Sequence, residues 1–292
     1  MEIKKVGVIG AGQMGSGIVH VLALAGYDVK LYDLSFEAGF IAVNRITKDM
    51  NKLVERDKIT EQEKQQALDR INTNCRHLKA LSDSDLIIEC AVENENVKRE
   101  ILLELQSSLS EQTMLTTNTS SISITRLAAQ TDRPERFMGL HFMNPVPQMK
   151  LVELVKGIAT GEEISDTLKN VVEKLGKSYT MSEDFPGFIV NRILMPMINE
   201  AIYALYEGVG NVESIDKSMR LGANHPMGPL QLADFIGLDT CQAIMNVLHD
   251  GLGDTKYLPC PLLKKYVDAN WLGRKNNRGF YDYHVDPPKP TR

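Results

Sequence analysis

Between residues 4 and 33 the chain runs strand, glycine turn, helix, strand, acid, an order that few folds accept. Lys4-Lys-Val-Gly-Val-Ile9 reads as a short buried strand. Gly10-Ala-Gly12-Gln13-Met14-Gly15 follows, then a helix from about Met14 to Ala25 closed by Gly26, then a second strand, Asp28-Val-Lys-Leu-Tyr-Asp33. Two parallel strands joined by a helix require a right-handed crossover. Gly10 permits the tight turn, Gly12 removes a side chain where a pyrophosphate would approach, and Gly15 lets helix and strand pack closely. The helix N-terminus then offers N–H groups and a favourable dipole to phosphate. A bare GxGxxG is weak; here it sits between strand and helix, with Asp33 eighteen residues beyond Gly15. Asp33 would accept hydrogen bonds from an adenosine ribose and repel a 2′-phosphate. Leu34-Ser35-Phe36 supplies no cation for one, so NAD is favoured over NADP.

Further along, residues 37–57 carry an apolar stripe (Val43, Ile46, Met50, Leu53) at helical spacing, and Thr60-Glu-Gln-Glu63 is a capping box that opens a second helix. Strand patterns recur at 85–92, 113–117, 137–140 and 151–155, with helical stretches between most of them. The alternation predicts an α/β fold: a Rossmann-type doubly wound domain over 1–185 with a helical hairpin inserted. After Pro186-Gly187 the character changes. Residues 188–207 form a helix apolar around most of its circumference, and segments near 213–221, 230–236, 239–249 and 260–270 are helical. This predicts an all-α C-terminal domain over 186–292. The apolar helix is either the core of that domain or a homodimer interface. Asp286-Pro-Pro-Lys-Pro-Thr-Arg292 reads as a loose tail.

The 292 residues carry a net charge of −5, so no global basic field points to nucleic acid. An anionic ligand needs a local patch. Arg45, Lys48, Lys52 and Arg56 supply one along a single helix face; they are either a solvated face or a landing site for phosphates. Cys75, Cys90, Cys241 and Cys260 show no metal-binding spacing, and no metal is expected. Reduced thiols, no signal-like N-terminus and no membrane-length apolar run predict a cytoplasmic protein away from the membrane.

Candidate chemistry gathers at strand ends, where ligands sit in open parallel sheets. Asn118-Thr-Ser120-Ser121 follows one strand, and His141 ends the next, before Asn144-Pro-Val-Pro147. A serine there is often a helix N-cap, a job open to Ser121 or Ser123, and a single histidine is often structural. Removing a hydroxyl proton as hydride leaves carbon needs a base, which histidine suits, and a carboxylate to orient it. Glu153 lies in the alternating strand Lys150-Leu-Val-Glu-Leu-Val155, either on a surface edge or paired with His141. Asn191 falls in the first turn of the apolar helix, as a local cap or as a group reaching the substrate oxygen.

VGVIGAGQMGSGI, Ala91-Val-Glu93-Asn, TNTSSISI, GLHFMNPVPQMKLVELV, FPGFIVNRILMPMINEA, LGANHPMGPLQLADFIGLD and GRKNNRGFYDY occur in this order over essentially the whole chain. In these segments the chain resembles the 3-hydroxyacyl-CoA dehydrogenase family, its short-chain branch most closely. The resemblance implies NAD-dependent interconversion of an L-3-hydroxyacyl-CoA, here 3-hydroxybutyryl-CoA, and the 3-oxoacyl-CoA, acetoacetyl-CoA. It implies His141 as acid–base, Glu153 as its orienting group, and Ser120 and Asn191 against the substrate. NAD contacts fall to Gly10, Gly12, Gln13, Met14, Gly15, Asp33, Glu93, Lys98, Asn118, Ser120 and Asn144. Lys52 and Arg56 match positions that hold the CoA phosphates. The partners implied are an acyl-CoA thioester and a second copy of the chain, a homodimer through the helical domain. The length is that of a free-standing dehydrogenase with no hydratase domain. Two other readings stand beside this one: a dehydrogenase of a free hydroxy acid or sugar acid without CoA, and a non-catalytic NAD(H)-binding sensor. His225, within the LGANHPMGP segment, has no assigned chemistry and reads as structural.

Overall fold

The computed structural model describes residues 2–291, which divide into two compact units, one ending at Phe185 and one beginning at Pro186. The first unit runs β1 (Lys5–Ile9), α1 (Gln13–Leu24), β2 (Asp28–Tyr32), α2 (Phe36–Glu55), α3 (Glu61–Asp69), β3 (Ile71–Cys75), β4 (Leu86–Glu89) and α4 (Glu95–Gln106). It continues through β5 (Met114–Thr117), α5 (Ile124–Ala128), β6 (Phe137–Phe142), β7 (Leu151–Lys156), α6 (Glu162–Lys174) and β8 (Ser178–Glu183). The strands form one sheet in the order β3-β2-β1-β4-β5-β6-β7-β8. Every pairing in it is parallel except β6–β7. This is a Rossmann-type doubly wound sheet, with the chain reversing direction across the sheet between β1 and β4.

Burial explains the order. β4, β5 and β6 are buried at every residue, as strands covered on both faces must be, and are mostly apolar, with Glu89, Thr116, Thr117 and His141 as buried polar exceptions toward their C-terminal ends. β3 (Ile-Asn-Thr-Asn-Cys) and β8 (Ser-Tyr-Thr-Met-Ser-Glu) alternate exposed and half-buried residues and form the two edges. Both were absent from the sequence expectation, because their polar composition hides the strand period. The core joins Val6, Val8, Ile18, Leu22, Ile46, Met50, Ile88, Leu140, Leu154 and Leu168 across both layers. The hairpin of α2 and α3 is opened as expected: Thr60 Oγ1 accepts from Glu63 N at 3.1 Å, and Thr60 N donates to Glu63 Oε2 at 2.7 Å.

The second unit consists of α7 (Val190–Tyr206), α8 (Val212–Gly222), α9 (Pro229–Ile236), α10 (Leu238–Leu252) and α11 (Pro261–Asp268), with a short ribbon of β9 (Tyr281–Asp282) and β10 (Lys289–Pro290). Its core gathers Met195, Ile198, Ile202, Leu230, Leu238, Met245, Leu263 and Phe280. α7 buries Met195, Ile198, Ala201 and Ile202 and leaves Ile193 and Tyr206 exposed, with Val209 just beyond it. One expectation is corrected here. The end of the chain is not a loose tail through Thr291, because β10 pairs with β9 and Thr291 Oγ1 donates to Gly279 O at 2.8 Å. Arg292 lies outside the described residues. Among the described residues no helix is long and apolar enough to cross a membrane.

Candidate active site

The glycine turn crosses from the end of β1 to the start of α1. Gly10 has φ +101°, and a Cβ there would lie 2.6 Å from the Cys90 carbonyl oxygen at the end of β4. A Cβ at Gly15 would strike the Gly10 carbonyl. A Cβ at Gly12 would meet nothing within 4 Å, so the bare backbone there faces open space. Gly12 is also the N-cap of α1, and no side chain caps that end. The turn therefore presents unspent N–H groups beside a vacant approach, which fits a pyrophosphate. Asp33 has a task that spacing alone did not suggest. Its Oδ2 accepts from Ala11 N at 2.7 Å, which pins the turn to the end of β2, and its Oδ1 accepts from Ser35 N at 3.0 Å. Gln13 Nε2 donates to Asn144 Oδ1 at 3.0 Å, joining the turn to the loop after β6.

The adjacent strand ends carry a second cluster. Glu93, just after β4, accepts at one oxygen from Thr119 Oγ1 (2.6 Å), Ser120 N (2.9 Å), Ser121 N (3.1 Å), Ser121 Oγ (3.0 Å) and Ser120 Oγ (3.2 Å). Its other oxygen lies 3.6 Å from Lys98 Nζ. Burial pushes Glu93 up, but the Lys98 charge and these hydrogen bonds outweigh it and hold the carboxyl below its usual range. Lys98 is buried, and its ammonium donates to both oxygens of Glu89 at 2.9 Å. Glu89 is fully buried and also accepts from Ala91 N (2.5 Å) and Thr117 Oγ1 (2.6 Å). Glu89 escaped the sequence reading. The signal was an acid ending the apolar run Leu86-Ile-Ile-Glu89, yet its partner is supplied only when α4 folds back on the strand. Asn118, after β5, accepts from Phe142 N at 2.8 Å and so locks the serine loop to β6 beside His141.

His141 and Glu153 stand directly opposite each other in the antiparallel pairing of the eight-stranded sheet, β6 to β7. His141 Nδ1 lies 2.8 Å from Glu153 Oε2; the His141 side chain is 10% exposed and that of Glu153 0%. β7 is not an edge, because β8 pairs along its other side, so the surface reading of Glu153 is set aside. A carboxylate only accepts, so the proton of a neutral ring sits on Nδ1 and Nε2 is its acceptor nitrogen.

The remaining candidates are less concentrated. Lys52 is exposed and pairs with Asp49 at 2.8 Å, Arg56 caps the C-terminal end of α2 in solvent, and Lys48 is exposed. Arg45 is tied to α1, donating from Nη1 to Ser16 Oγ at 2.9 Å. Met14 is half-buried in the first turn of α1. Asn191 belongs to the second unit, where it is the second residue of α7 and half-buried. His225, in the turn after α8, is half-buried and donates its backbone N–H to Met219 O at 3.2 Å. Among the described residues no three His, Cys, Asp or Glu side chains gather as a metal site.

Comparison with known proteins agrees across the chain. Residues 5–185 match the family model described as 3-hydroxyacyl-CoA dehydrogenase, NAD binding domain, and residues 187–283 match its C-terminal domain. The chain is 62% identical over 290 residues to a 3-hydroxybutyryl-CoA dehydrogenase of Bradyrhizobium diazoefficiens, covering 99% of each. It is 53% identical over 283 residues to a probable 3-hydroxybutyryl-CoA dehydrogenase of Bacillus subtilis, covering 97% of this chain and 98% of the other. The solved (S)-3-hydroxybutyryl-CoA dehydrogenase of Ralstonia eutropha superposes with a TM-score of 0.94 at 44% identity, covering 97% of this chain and 99% of that one. With the glycine turn, the Glu93 cluster and the His141–Glu153 pair carried on this frame, the chain belongs to the NAD-dependent 3-hydroxyacyl-CoA dehydrogenase family.

Proposed function

We propose that the chain interconverts L-3-hydroxybutyryl-CoA and acetoacetyl-CoA, with the His141–Glu153 pair as its proton relay. The 2.8 Å contact between these two buried cross-strand residues carries the reading. NAD, when bound, supplies the hydride acceptor for C3 and, as NADH, the donor. His141 Nε2 takes the hydroxyl proton in oxidation and returns it to the C3 oxygen in reduction. Glu153 holds Nδ1–H throughout and offsets the positive charge of the ring. Ser120 and Asn191 hydrogen-bond the C3 oxygen.

Gly10, Gly12, Gln13, Met14 and Gly15 hold the pyrophosphate, and Asp33 holds the adenosine ribose. Glu93, backed by Lys98, and Asn118, Ser120 and Asn144 surround the nicotinamide half. Lys52 and Arg56 hold the CoA phosphates. The helical unit serves substrate binding and homodimer contact. The second role is supported by the exposed apolar residues Ile193, Tyr206, Val209 and Leu221. Four free thiols support a reducing, cytoplasmic compartment.

NADH oxidation by the purified protein tests the reading, with acetoacetyl-CoA against acetoacetate at equal concentration. Turnover confined to the thioester is expected. Turnover confined to the free acid would move the protein to non-CoA substrates, and tight NADH binding without turnover on either would leave a sensor. Replacing Lys52 and Arg56 together by Ala should raise KM for acetoacetyl-CoA about 5–20-fold with kcat little changed, as loss of two solvent-exposed phosphate contacts would.

A further inference from the structure

The C-terminal ends of β4 and β5 lie between the glycine turn, at the end of β1, and His141, on β6. Neighbouring strands are about 4.8 Å apart, so β1 and β6 are separated by roughly 14 Å. A dinucleotide with its pyrophosphate on the glycine turn and its reactive ring toward His141 must cross those two strand ends. The charge they carry is therefore charge beside the cofactor.

Glu89, Lys98 and Glu93 gather there. Lys98 is buried and its ammonium is spent on Glu89: it donates to both carboxylate oxygens at 2.9 Å and to the Ala91 carbonyl at 3.3 Å. Glu93 Oε2 lies 3.6 Å from the same nitrogen, beyond hydrogen-bond range. Glu89 is surrounded by donors. Ala91 N supplies one, and Thr117 Oγ1, which accepts from Thr119 N at 3.4 Å, turns its own hydrogen to Glu89. Glu93 is the outer member, its side chain 39% exposed against 0% for Glu89 and 1% for Lys98. Among the described residues no second cation lies within 4 Å of either carboxylate. Two carboxylates thus share one ammonium, and the cluster keeps one negative charge, which shows at Glu93.

Hydride arrival converts the cationic nicotinamide of NAD into the neutral ring of NADH. A fixed negative charge nearby stabilises only the first. We propose that Glu89 is a positioning residue that sets the oxidation-state preference of the site: by engaging Lys98 with both oxygens it leaves the Glu93 charge uncompensated, and so favours oxidised over reduced nicotinamide. The inference rests on the placement of the nicotinamide half beside Glu93 proposed above. Glu89 itself touches neither cofactor nor substrate and acts through Lys98 and Glu93.

The test measures dissociation constants without substrate, NADH by fluorescence titration and NAD by calorimetric titration, and reads their ratio. Glu89→Gln keeps the shape and, with the Thr117 hydroxyl reversed, the hydrogen bonds, but removes the charge. It should weaken NAD relative to NADH about 5–30-fold, the scale of one unit charge roughly 8–10 Å away near a protein surface. Glu93→Gln should move the ratio in the same direction, because any contact common to both forms cancels in it; half-exposed, it carries the test if Glu89→Gln does not fold. Glu89→Asp keeps the charge and should hold the ratio within a factor of about two. Thr117→Val removes a hydrogen bond but no charge, and should lower the melting temperature while leaving the ratio unchanged. Equal weakening of both forms by the two glutamine variants would overturn the inference while the placement of the nicotinamide stands. Unaltered affinity for both forms would overturn the placement and the inference together. A shift in Thr117→Val as large as in Glu89→Gln would make Glu89 a structural residue only.

Discussion

Two fully buried carboxylates, one in each compact unit, have partners of different kinds. Glu153 faces an imidazole across β6–β7 at 2.8 Å. Asp234, on α9, accepts from Phe280 N (2.9 Å), Tyr281 N (2.9 Å) and Tyr283 OH (3.0 Å). An imidazole nitrogen can both take and give a proton; a backbone amide only donates its N–H. Asp216, on α8, repeats the second pattern, accepting from Leu230 N (2.8 Å), Gln231 N (3.0 Å) and Tyr281 OH (2.7 Å). Together the two aspartates fasten β9 to α8 and α9. Burial of an acid is therefore no mark of chemistry by itself. What separates the two sites is the chemistry of the partner: an imidazole in one, fixed backbone and phenol donors in the other.

The largest effect should come from the imidazole. His141→Gln keeps a donor for Glu153 but removes the base, and turnover should fall about 10²–10⁴-fold, with NADH affinity within a factor of about three by fluorescence titration. Turnover near wild type would dissolve the contrast. Asp234→Ala should do the reverse. It strands three donors, and chemical denaturation should show a loss of about 3–5 kcal/mol with kcat unchanged at a temperature where the variant is folded. A large kcat defect in the folded variant would put Asp234 in the chemistry. Glu153→Gln sharpens the comparison from the other side. Its amide oxygen can still accept from Nδ1–H, so stability should change by only about 1 kcal/mol. Losing the charge that offsets the imidazolium should still cost roughly 100-fold in kcat. If stability collapses instead, with kcat preserved in the surviving fraction, Glu153 is a latch as well.

The same distinction explains what the sequence disclosed. β4, β5 and β6 were legible because strands covered on both faces are built mostly from apolar residues. β3 and β8 were not, because an edge needs only half a face, and Asn72, Asn74, Ser178 and Ser182 mask the alternation. The strand–turn–helix context of Gly10, Gly12 and Gly15 marked a nucleotide turn directly. The partners of Asp33, Lys98 and Asn118 were invisible, since each bond joins residues that only the sheet order makes neighbours: Asp33 to Ala11, Lys98 to Glu89, Asn118 to Phe142. Motif resemblance pointed to residues, and topology supplied what they hold. The apolar composition of α7 could not distinguish a core from an outer face, because both are built from the same side chains.

The smallest net effect, and the finest test of the comparison, is the pH dependence of stability. Burial lowers His20, in the first unit, from 6.5 to about 4. Below pH 6.5 the unfolded chain takes up a proton that the folded chain refuses, so stability falls as pH drops from about 6.5 to 4. Burial raises Asp234, in the second unit, from 3.8 to about 6, with its donors offsetting part of the rise. Above 3.8 the unfolded chain releases a proton that the folded chain retains, so stability falls as pH rises from about 4 to 6. Each contribution is about 3 kcal/mol at full extent, and over pH 4–6 they oppose each other. Wild type should therefore show little slope from this pair. His20→Leu should expose the Asp234 contribution as a loss of stability with rising pH, and Asp234→Asn should expose the His20 contribution as a loss with falling pH. Denaturation curves at pH 4.5, 5.5 and 6.5 decide it. Variant slopes parallel to wild type would mean that neither buried group titrates as its surroundings dictate. Two separate transitions with opposite slopes would instead assign each response to its own unit.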